Sequence, residues 1–315
     1  MIGIDIGGAN LKVVDESGVH IHYCPLWEKA PIADTLKPYV KHGEDRAAVV
    51  MSGELADCFE NKLQGITFIV GEVQKAFPGA RFYGMDAKFH ERPVPQLAAA
   101  NWLASADYLR ERYPGAILLD IGSTTTDIIP LGNFEGLLGL TDLDRLQKGF
   151  LLYTGMLRTN IAAILQSVDL FGVHTPVSAE YFATSADAHL VLGHITSEEY
   201  TCDTPDHKEK TRAASLRRLS RVVCADLDEI GEEGALQIAE QVHGRQKTAI
   251  CNAVRACAGA FGAGEILVGG IGANLFSHEL GGHDLNHELG PGADALPAFA
   301  VREIALRKKD PAIAR

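Results

Sequence analysis

Apolar positions alternate through Ile2, Ile4 and Ile6, break at Gly7-Gly8, and resume at Leu11, Val13 and Val14. That period of two, interrupted by glycines, predicts a β-hairpin with a glycine-rich turn. The same pattern returns at Ile117 to Leu131: apolar strand, Asp, apolar residue, Gly, small polar turn, apolar strand. The offset from Asp5 to Gly7 equals that from Asp120 to Gly122. Further strands are expected at Gly18 to Cys24, Ala47 to Met51 and Ala80 to Met85, with helices at Phe59 to Phe77, Pro95 to Arg112 and Ala179 to Leu192. A last apolar strand at Glu265 to Val268 runs into Gly269-Gly270-Ile271-Gly272, and a small-residue helix covers Ala298 to Leu306.

The turns carry the candidate chemistry. Glycine lets backbone N–H groups approach an anion closely, because no Cβ intervenes. Gly7, Gly8 and Asn10 are therefore candidate phosphate contacts, with Lys12 as a catalytic point charge. In the second hairpin Gly122 and the hydroxyls of Ser123, Thr124 and Thr125 take the corresponding places. Asp5 and Asp120, each on the strand just before its turn, are placed to hold a hydrated metal ion, expected to be Mg²⁺, and are candidate catalytic carboxylates. Two such hairpins predict two related halves facing one metal-bound phosphate or pyrophosphate. Residue chemistry alone leaves open whether that group is the γ-phosphoryl of ATP or a pyrophosphate expelled from a substrate.

The polar turn after the strand at 47–51 offers Ser52, Glu54 and Asp57 as substrate contacts, with a helix N-cap at Ser52 as the competing reading. In Gly149 to Asn160, Arg158 and Thr159 are further candidates: Arg158 can bind phosphate or carboxylate bidentately, or serve a structural ion pair. Gly269, Gly270 and Gly272 complete the candidate set. Asp187 and His189 sit on the helix expected at 179–192.

Composition narrows the partners. The 29 basic and 41 acidic residues of the 315 give a formal charge of -12, which argues against general nucleic-acid binding but not against a local cationic pocket. A basic run at His207 to Arg221 (Lys208, Lys210, Arg212, Arg217, Arg218, Arg221) reverses the local sign, either to guide polyphosphate or as a solvated helix face. The six cysteines are scattered without a Cys-x-x-Cys pair, as in a reducing compartment. No signal peptide and no membrane-length apolar run is visible, so a cytoplasmic protein with a phosphorylated small-molecule substrate is expected, a homodimer being left open. His278, His283 and His287 fall in a glycine-rich stretch expected to be a mobile or turn-rich loop rather than a zinc site.

The two hairpins and the third glycine turn, in this order, resemble the phosphate-1, phosphate-2 and adenosine motifs of the acetate and sugar kinase/heat-shock/actin superfamily. That resemblance implies an α/β fold of two ribonuclease-H-like (actin-like ATPase) lobes with an interlobe cleft. The lobes would be residues 1–112 and 113–294, with a C-terminal helix at about 295–309 returning to the first and hinge helices crossing between them. More closely, Met51 to Phe59, Asp120 to Asp127, Tyr153 to Thr159 and Ala179 to Thr184 resemble the hydantoinase/oxoprolinase-related proteins of tetrahydromethanopterin-linked one-carbon metabolism. Those proteins include the condensing enzyme of methanofuran biosynthesis. The resemblance implies attack by the phenol of γ-glutamyltyramine on a furanmethylamine diphosphate, giving an aryl ether and pyrophosphate, with Mg²⁺ and without need of ATP. The alternatives are an ATP-dependent small-molecule kinase and a non-catalytic nucleotide-sensing protein.

Overall fold

The computed structural model describes residues 1–28, 30–40 and 46–307. Six strands, β1 (Ile2–Ile6), β2 (Asn10–Asp15), β3 (Gly18–Tyr23), β4 (Ala47–Met51), β5 (Arg81–Tyr83) and β6 (Phe89–His90), form one sheet in the order β3-β2-β1-β4-β5-β6. The rest of the chain contributes β7 (Ala116–Ile121), β8 (Thr126–Pro130), β9 (Leu151–Leu152), a separate hairpin of β10 (Ser167–Leu170) and β11 (Val173–Pro176), then β12 (Glu265–Gly269) and β13 (His283–Asp284). Its sheet runs β13-β12-β7-β8-β9.

The two sheets share one plan. In each, a three-stranded antiparallel meander is extended by two parallel strands on the far side of the first strand. This is the ribonuclease-H-like arrangement, present twice. The strands that begin each meander read as continuous apolar runs because they are central and covered on both faces. β1 and β4 are buried at every position, and β7 at every position but Asp120.

Helix Lys62–Ala76, capped by the Asn61 side chain on the Gln64 N–H, closes one face of the first sheet over a core containing Ile4, Val49, Ile69 and Phe82. The other face opens onto a core shared with the second sheet. There Val50 and Tyr83 join Leu103, Leu118, Leu267 and Val301. The helices Asn101–Leu109 and Leu296–Arg307 run through this shared core and pack on each other, with Tyr108 edge-on to Phe299 at 5.4 Å. Helix Leu296–Arg307 also packs on β1 and β4, and Arg302 donates to the Met1 carbonyl. Residues 308 and 309 of the helix expected at 295–309 lie outside the described residues. A third core, with Val191, Leu219, Ala235 and Ile238, belongs to helical segments lying between the second hairpin and the third glycine turn.

Local expectations needed correction in four places. The helix expected from Pro95 to Arg112 is two pieces, a 3-10 turn Pro95–Leu97 and the helix Asn101–Leu109, because Ala98 is extended and Ala99 takes a positive φ of 47°. The helix expected over 179–192 begins only at Ser185, where Thr184 and Asp187 form a reciprocal capping box. The stretch 277–290 holds the end of helix Ala273–Leu280, β13 and the short helix Asn286–Leu289 rather than a loop. Finally, Arg218 of the basic run is neither solvated nor facing a ligand. It is fully buried, held by Asp187 Oδ1 at 2.8 Å and Asp206 Oδ1 at 3.1 Å. Among the described residues no helix is long and apolar enough to cross a membrane.

Candidate active site

The two hairpins are built alike to the level of single hydrogen bonds. Gly7 N–H donates to the Asn10 carbonyl and Gly122 N–H to the Thr125 carbonyl, each at 2.9 Å. In both, the first-strand carbonyl just before the glycine receives the turn that follows the neighbouring parallel strand. Ser52 and Gly53 donate to Ile6 O, and Gly272 donates to Ile121 O. This corrects two expectations. The Gly7 and Gly122 N–H groups close their own turns and are not free for an anion. Ser52 is no helix cap, since its N–H is spent on Ile6 and helix Lys62–Ala76 is capped by Asn61. Within the two turns, the N–H groups of Gly8, Ala9, Ser123, Thr124 and Thr125 have no backbone partner among the described residues. The Ser123 and Thr124 hydroxyls lie 3.4 Å apart at the same turn.

Strand register sets the charges. Asp5 lies opposite Lys12 across β1 and β2, and Asp120 lies opposite Asp127 across β7 and β8. Asp127 thus occupies the place that Lys12 holds in the first hairpin. Its counter-ion is Arg145, buried over the Trp102 ring at 4.3 Å and paired also to Asp142 at 2.9 Å. Lys12 and Asp5 lie close enough to Asp120 for their charges to bear on its carboxyl. Burial pushes the Asp5 carboxyl up to about 6, against the pull of Lys12. Burial pushes Asp120 up to about 7, helped by the negative charges of Asp127 and Asp5 and opposed by Lys12 and Arg145. Asp5 Oδ1 is buried with no hydrogen-bond partner. Lys12 Nζ donates to the Asp294 carbonyl at 2.8 Å, so the lysine is anchored by the segment just before the last helix.

The glycine turn at 269–272 abuts the second hairpin. Gly269 is paired with Asp120 across β12 and β7, and a Cβ on Gly270 (φ 79°) would come within 2.5 Å of Asp120 Oδ1. Gly269, Gly270 and Gly272 therefore seat backbone against Asp120 and Ile121. Glu54 is buried behind the first hairpin, taking an N–H from Ala99, with Oε2 unpartnered and its carboxyl pushed by burial up to about 7. Asp57 is exposed.

The loop 153–159 docks on the second hairpin. Met156 N–H donates to Gly122 O, and the Leu157 and Arg158 N–H groups donate to Ser123 O, all at 3.0 Å. A side chain at Gly155 would meet the Ser123 carbonyl carbon and Thr124 nitrogen at 2.6 Å, so only glycine permits this seat. Thr159, expected to touch substrate, accepts instead from the Gly155 N–H at 3.0 Å, while its own N–H donates to Ser185 Oγ at 3.2 Å. Arg158 has no ion pair among those found in the described residues; its guanidinium lies 5.1 Å from the centre of the Trp27 ring, across from the other half. Tyr23 bridges the same gap to Asp203 at 3.2 Å, and Tyr181 is half exposed nearby, its phenol pushed up by burial against the opposing charge of Arg158. Sequence reasoning passed over Asp127, Arg145, Gly155 and Trp27. The first was legible from hairpin register and the third from its place in the loop, whereas Arg145 and Trp27 join the site only by tertiary packing.

Residues 45–277 match the hydantoinase/oxoprolinase family. The chain is similar to a (4-{4-[2-(gamma-L-glutamylamino)ethyl]phenoxymethyl}furan-2-yl)methanamine synthase of Methanocaldococcus jannaschii, 35% identical over 327 residues that cover 98% of each chain. It is similar to a protein of the same description from Methanococcus vannielii, 38% identical over 164 residues, 52% of this chain and 74% of that one. Among solved structures, a nucleotide-free acetone carboxylase aligns with TM-score 0.45 and 14% identity over 93% of this chain, which spans about half (51%) of that one. A non-polymerising MamK variant bound to AMPPNP aligns with TM-score 0.39 and 12% identity, over 98% of this chain and 97% of that one. With a match through most of its length and a relative aligned end to end, the chain belongs to the hydantoinase/oxoprolinase family.

Proposed function

We propose that the protein is an enzyme of methanofuran biosynthesis, transferring a furanmethyl group from a furanmethylamine diphosphate to the phenol of γ-glutamyltyramine. The observation that carries this reading is the pair of matching turns, with Asp5 and Lys12 of the first close enough to Asp120 of the second for their charges to act on it. The product for which the relatives are named, a phenoxymethyl furan bearing a γ-glutamylamino arm, suggests the substrates.

In the reaction the phenol oxygen bonds to the furanmethyl carbon. The bond from that carbon to the diphosphate oxygen breaks, and its electron pair leaves with pyrophosphate. The phenol proton passes to a cleft carboxylate. Asp5 and Asp120, both pushed up by burial in the metal-free protein, are the two carboxylates of the site for this role. The N–H groups of Gly8, Ala9, Ser123 and Thr124, the Ser123 and Thr124 hydroxyls and Lys12 meet the charge that grows on the departing pyrophosphate.

A divalent cation suits this place, since Asp5 Oδ1 is buried without a partner and Asp120 is raised by neighbouring negative charge. Asp5 and Asp120 would hold Mg²⁺, which supplies charge neutralisation to a bound diphosphate. Trp27 and Tyr181 offer aromatic surface to the phenyl ring, with Arg158 beside them for the glutamyl carboxylate.

The test is to incubate the protein with Mg²⁺, the furanmethylamine diphosphate and γ-glutamyltyramine in the absence of ATP. Pyrophosphate and the aryl ether in equal amounts are expected. Turnover that requires ATP and yields ADP would overturn the reading in favour of a kinase.

A further inference from the structure

We propose that His189, His194 and His243 form a binding site for one borderline-soft divalent ion of the zinc type, behind the second hairpin and separate from the diphosphate site. One ring nitrogen from each of the three lies within 4.8 Å of the other two. His189 comes from helix Ser185–Val191, His194 from the turn just after it, and His243 from the long helix Leu227–Phe261. His189 is wholly buried, His194 and His243 partly so.

The hydrogen bonds around the cluster fix which nitrogens face inward. Gln246 Nε2 donates to the Gly155 carbonyl at 3.0 Å, which can only accept, so its Oε1 must point the other way. That oxygen lies 3.1 Å from His189 Nε2, which therefore carries the proton and leaves the His189 Nδ1 lone pair toward His194. His243 Nε2 lies 3.0 Å from Glu279 Oε1, a carboxylate also held by Lys247 at 3.1 Å. Its proton goes to that carboxylate, and His243 Nδ1 is buried with no partner. An orphaned imidazole nitrogen in a protein interior is costly, and a metal ion removes the cost. A carboxylate or amide on the outer nitrogen fixes the tautomer and orientation of the ring, as it does for metal-ligating histidines.

The dimensions agree. His189 Nδ1 and His194 Nδ1 are 3.1 Å apart, and two nitrogens bound tetrahedrally at about 2.0–2.1 Å stand roughly 3.3 Å from each other. Three imidazoles without a carboxylate ligand favour Zn²⁺, Co²⁺ or Ni²⁺ over Mg²⁺, which prefers oxygen.

The site connects to the reaction through a single side chain. Gln246, bonded to His189, also donates to Thr154 Oγ1 at 2.8 Å and to the Gly155 carbonyl. Gly155 is the residue seated against Ser123 and Thr124. An ion on the histidines would thus stiffen the loop beneath the second turn, as a positioning element that does not touch substrate.

The experiment uses the full chain, stripped with a strong chelator and then titrated with Zn²⁺ or Co²⁺. One equivalent is expected to bind, to raise the melting temperature, and with Co²⁺ to give the visible absorption of a nitrogen-ligated site. His243→Ala and His194→Ala should each weaken binding at least about 100-fold, and Glu279→Gln about 10–100-fold. Replacing the exposed His174 and His287 should change nothing. Zn²⁺ binding in the wild type no tighter than in His194→Ala, or unchanged by both histidine variants, would overturn the proposal. Because His194 is only partly buried, its variant serves if His243→Ala fails to fold, a matching melt of the metal-free proteins being the check. The readout is metal content, so failure here leaves the condensation reading untouched.

Discussion

Lys12 on β2 lies directly opposite Asp5 on β1 and is tied at its tip to the Asp294 carbonyl, 2.8 Å away. Its charge therefore sits at a fixed place between two carboxyls that it both restrains, Asp5 and Asp120. Replacing it with methionine keeps the stem and removes that restraint. Both carboxyls should then titrate higher, and the acid limb of kcat/KM should move to higher pH by at least about 1 unit, with a lower plateau. A pH–rate profile of Lys12→Met against wild type measures this.

Asp5→Asn and Asp120→Asn should each lower kcat by roughly 10²–10³, equivalent to about 3–4 kcal/mol of transition-state stabilisation. Stability should not fall with activity, because each change removes a buried charge that the fold strains to keep. Single-turnover rates and melting temperatures taken together separate the two effects. Near-normal turnover in both variants would refute their assignment.

The same carboxyls give the metal-free protein an unusual pH dependence. Their folded values of about 6 and 7 lie above the unfolded value of 3.8, so the folded chain holds more protons than the unfolded chain between these limits. Their contribution favours folding below pH 4 and turns against it as pH rises through 6 and 7. Denaturant unfolding in chelator should show stability falling between about pH 4 and 7 by on the order of 3–4 kcal/mol per carboxyl, and Asp5→Asn should flatten the slope. Added Mg²⁺ should restore most at the alkaline end, where the carboxylates are bare.

Gly155→Ala places a methyl group 2.6 Å from the backbone of Ser123 and Thr124. Overpacking of this kind costs about 1–3 kcal/mol. Since the displaced atoms belong to the second turn, kcat should fall by more than the loss of stability explains, with the acceptor KM little changed. Steady-state kinetics on the folded variant decide the point.

Arg158→Ala should act the other way round, on acceptor affinity. A hydrogen bond to a charged group contributes about 1.5–3 kcal/mol, so the KM for γ-glutamyltyramine should rise roughly 10- to 150-fold with kcat changed less. Tyramine lacking the glutamyl group should show no such difference between variant and wild type.

What the chain disclosed before its structure was known depended on range. Strands announce themselves locally, so both hairpins, their aspartates and the parallel strands β4, β5 and β12 were legible from apolar runs and glycines, whereas β13 fell in a stretch read as a loop. The break at Ala98-Ala99 was not, because alanine favours helix and only the tertiary contact of the Ala99 N–H with Glu54 overrides it. The burial of Arg218 was hidden for a similar reason: its partners Asp187 and Asp206 lie on separate segments. The histidines were the least legible. Their cluster draws on three elements with no fixed spacing, while the more conspicuous His283 and His287 lie elsewhere.

The full engagement of Arg145 by Asp127 and Asp142 has a consequence for how substrate arrives. With that cation already committed, Asp5 and Asp120 are left with Lys12 as the cation beside them. A naked diphosphate therefore meets repulsion on approach, whereas one already escorted by a divalent ion does not. Capture should scale with the concentration of the chelated donor and fall off when free diphosphate is in excess over cation, a form of selection made at encounter, before any bond is stretched.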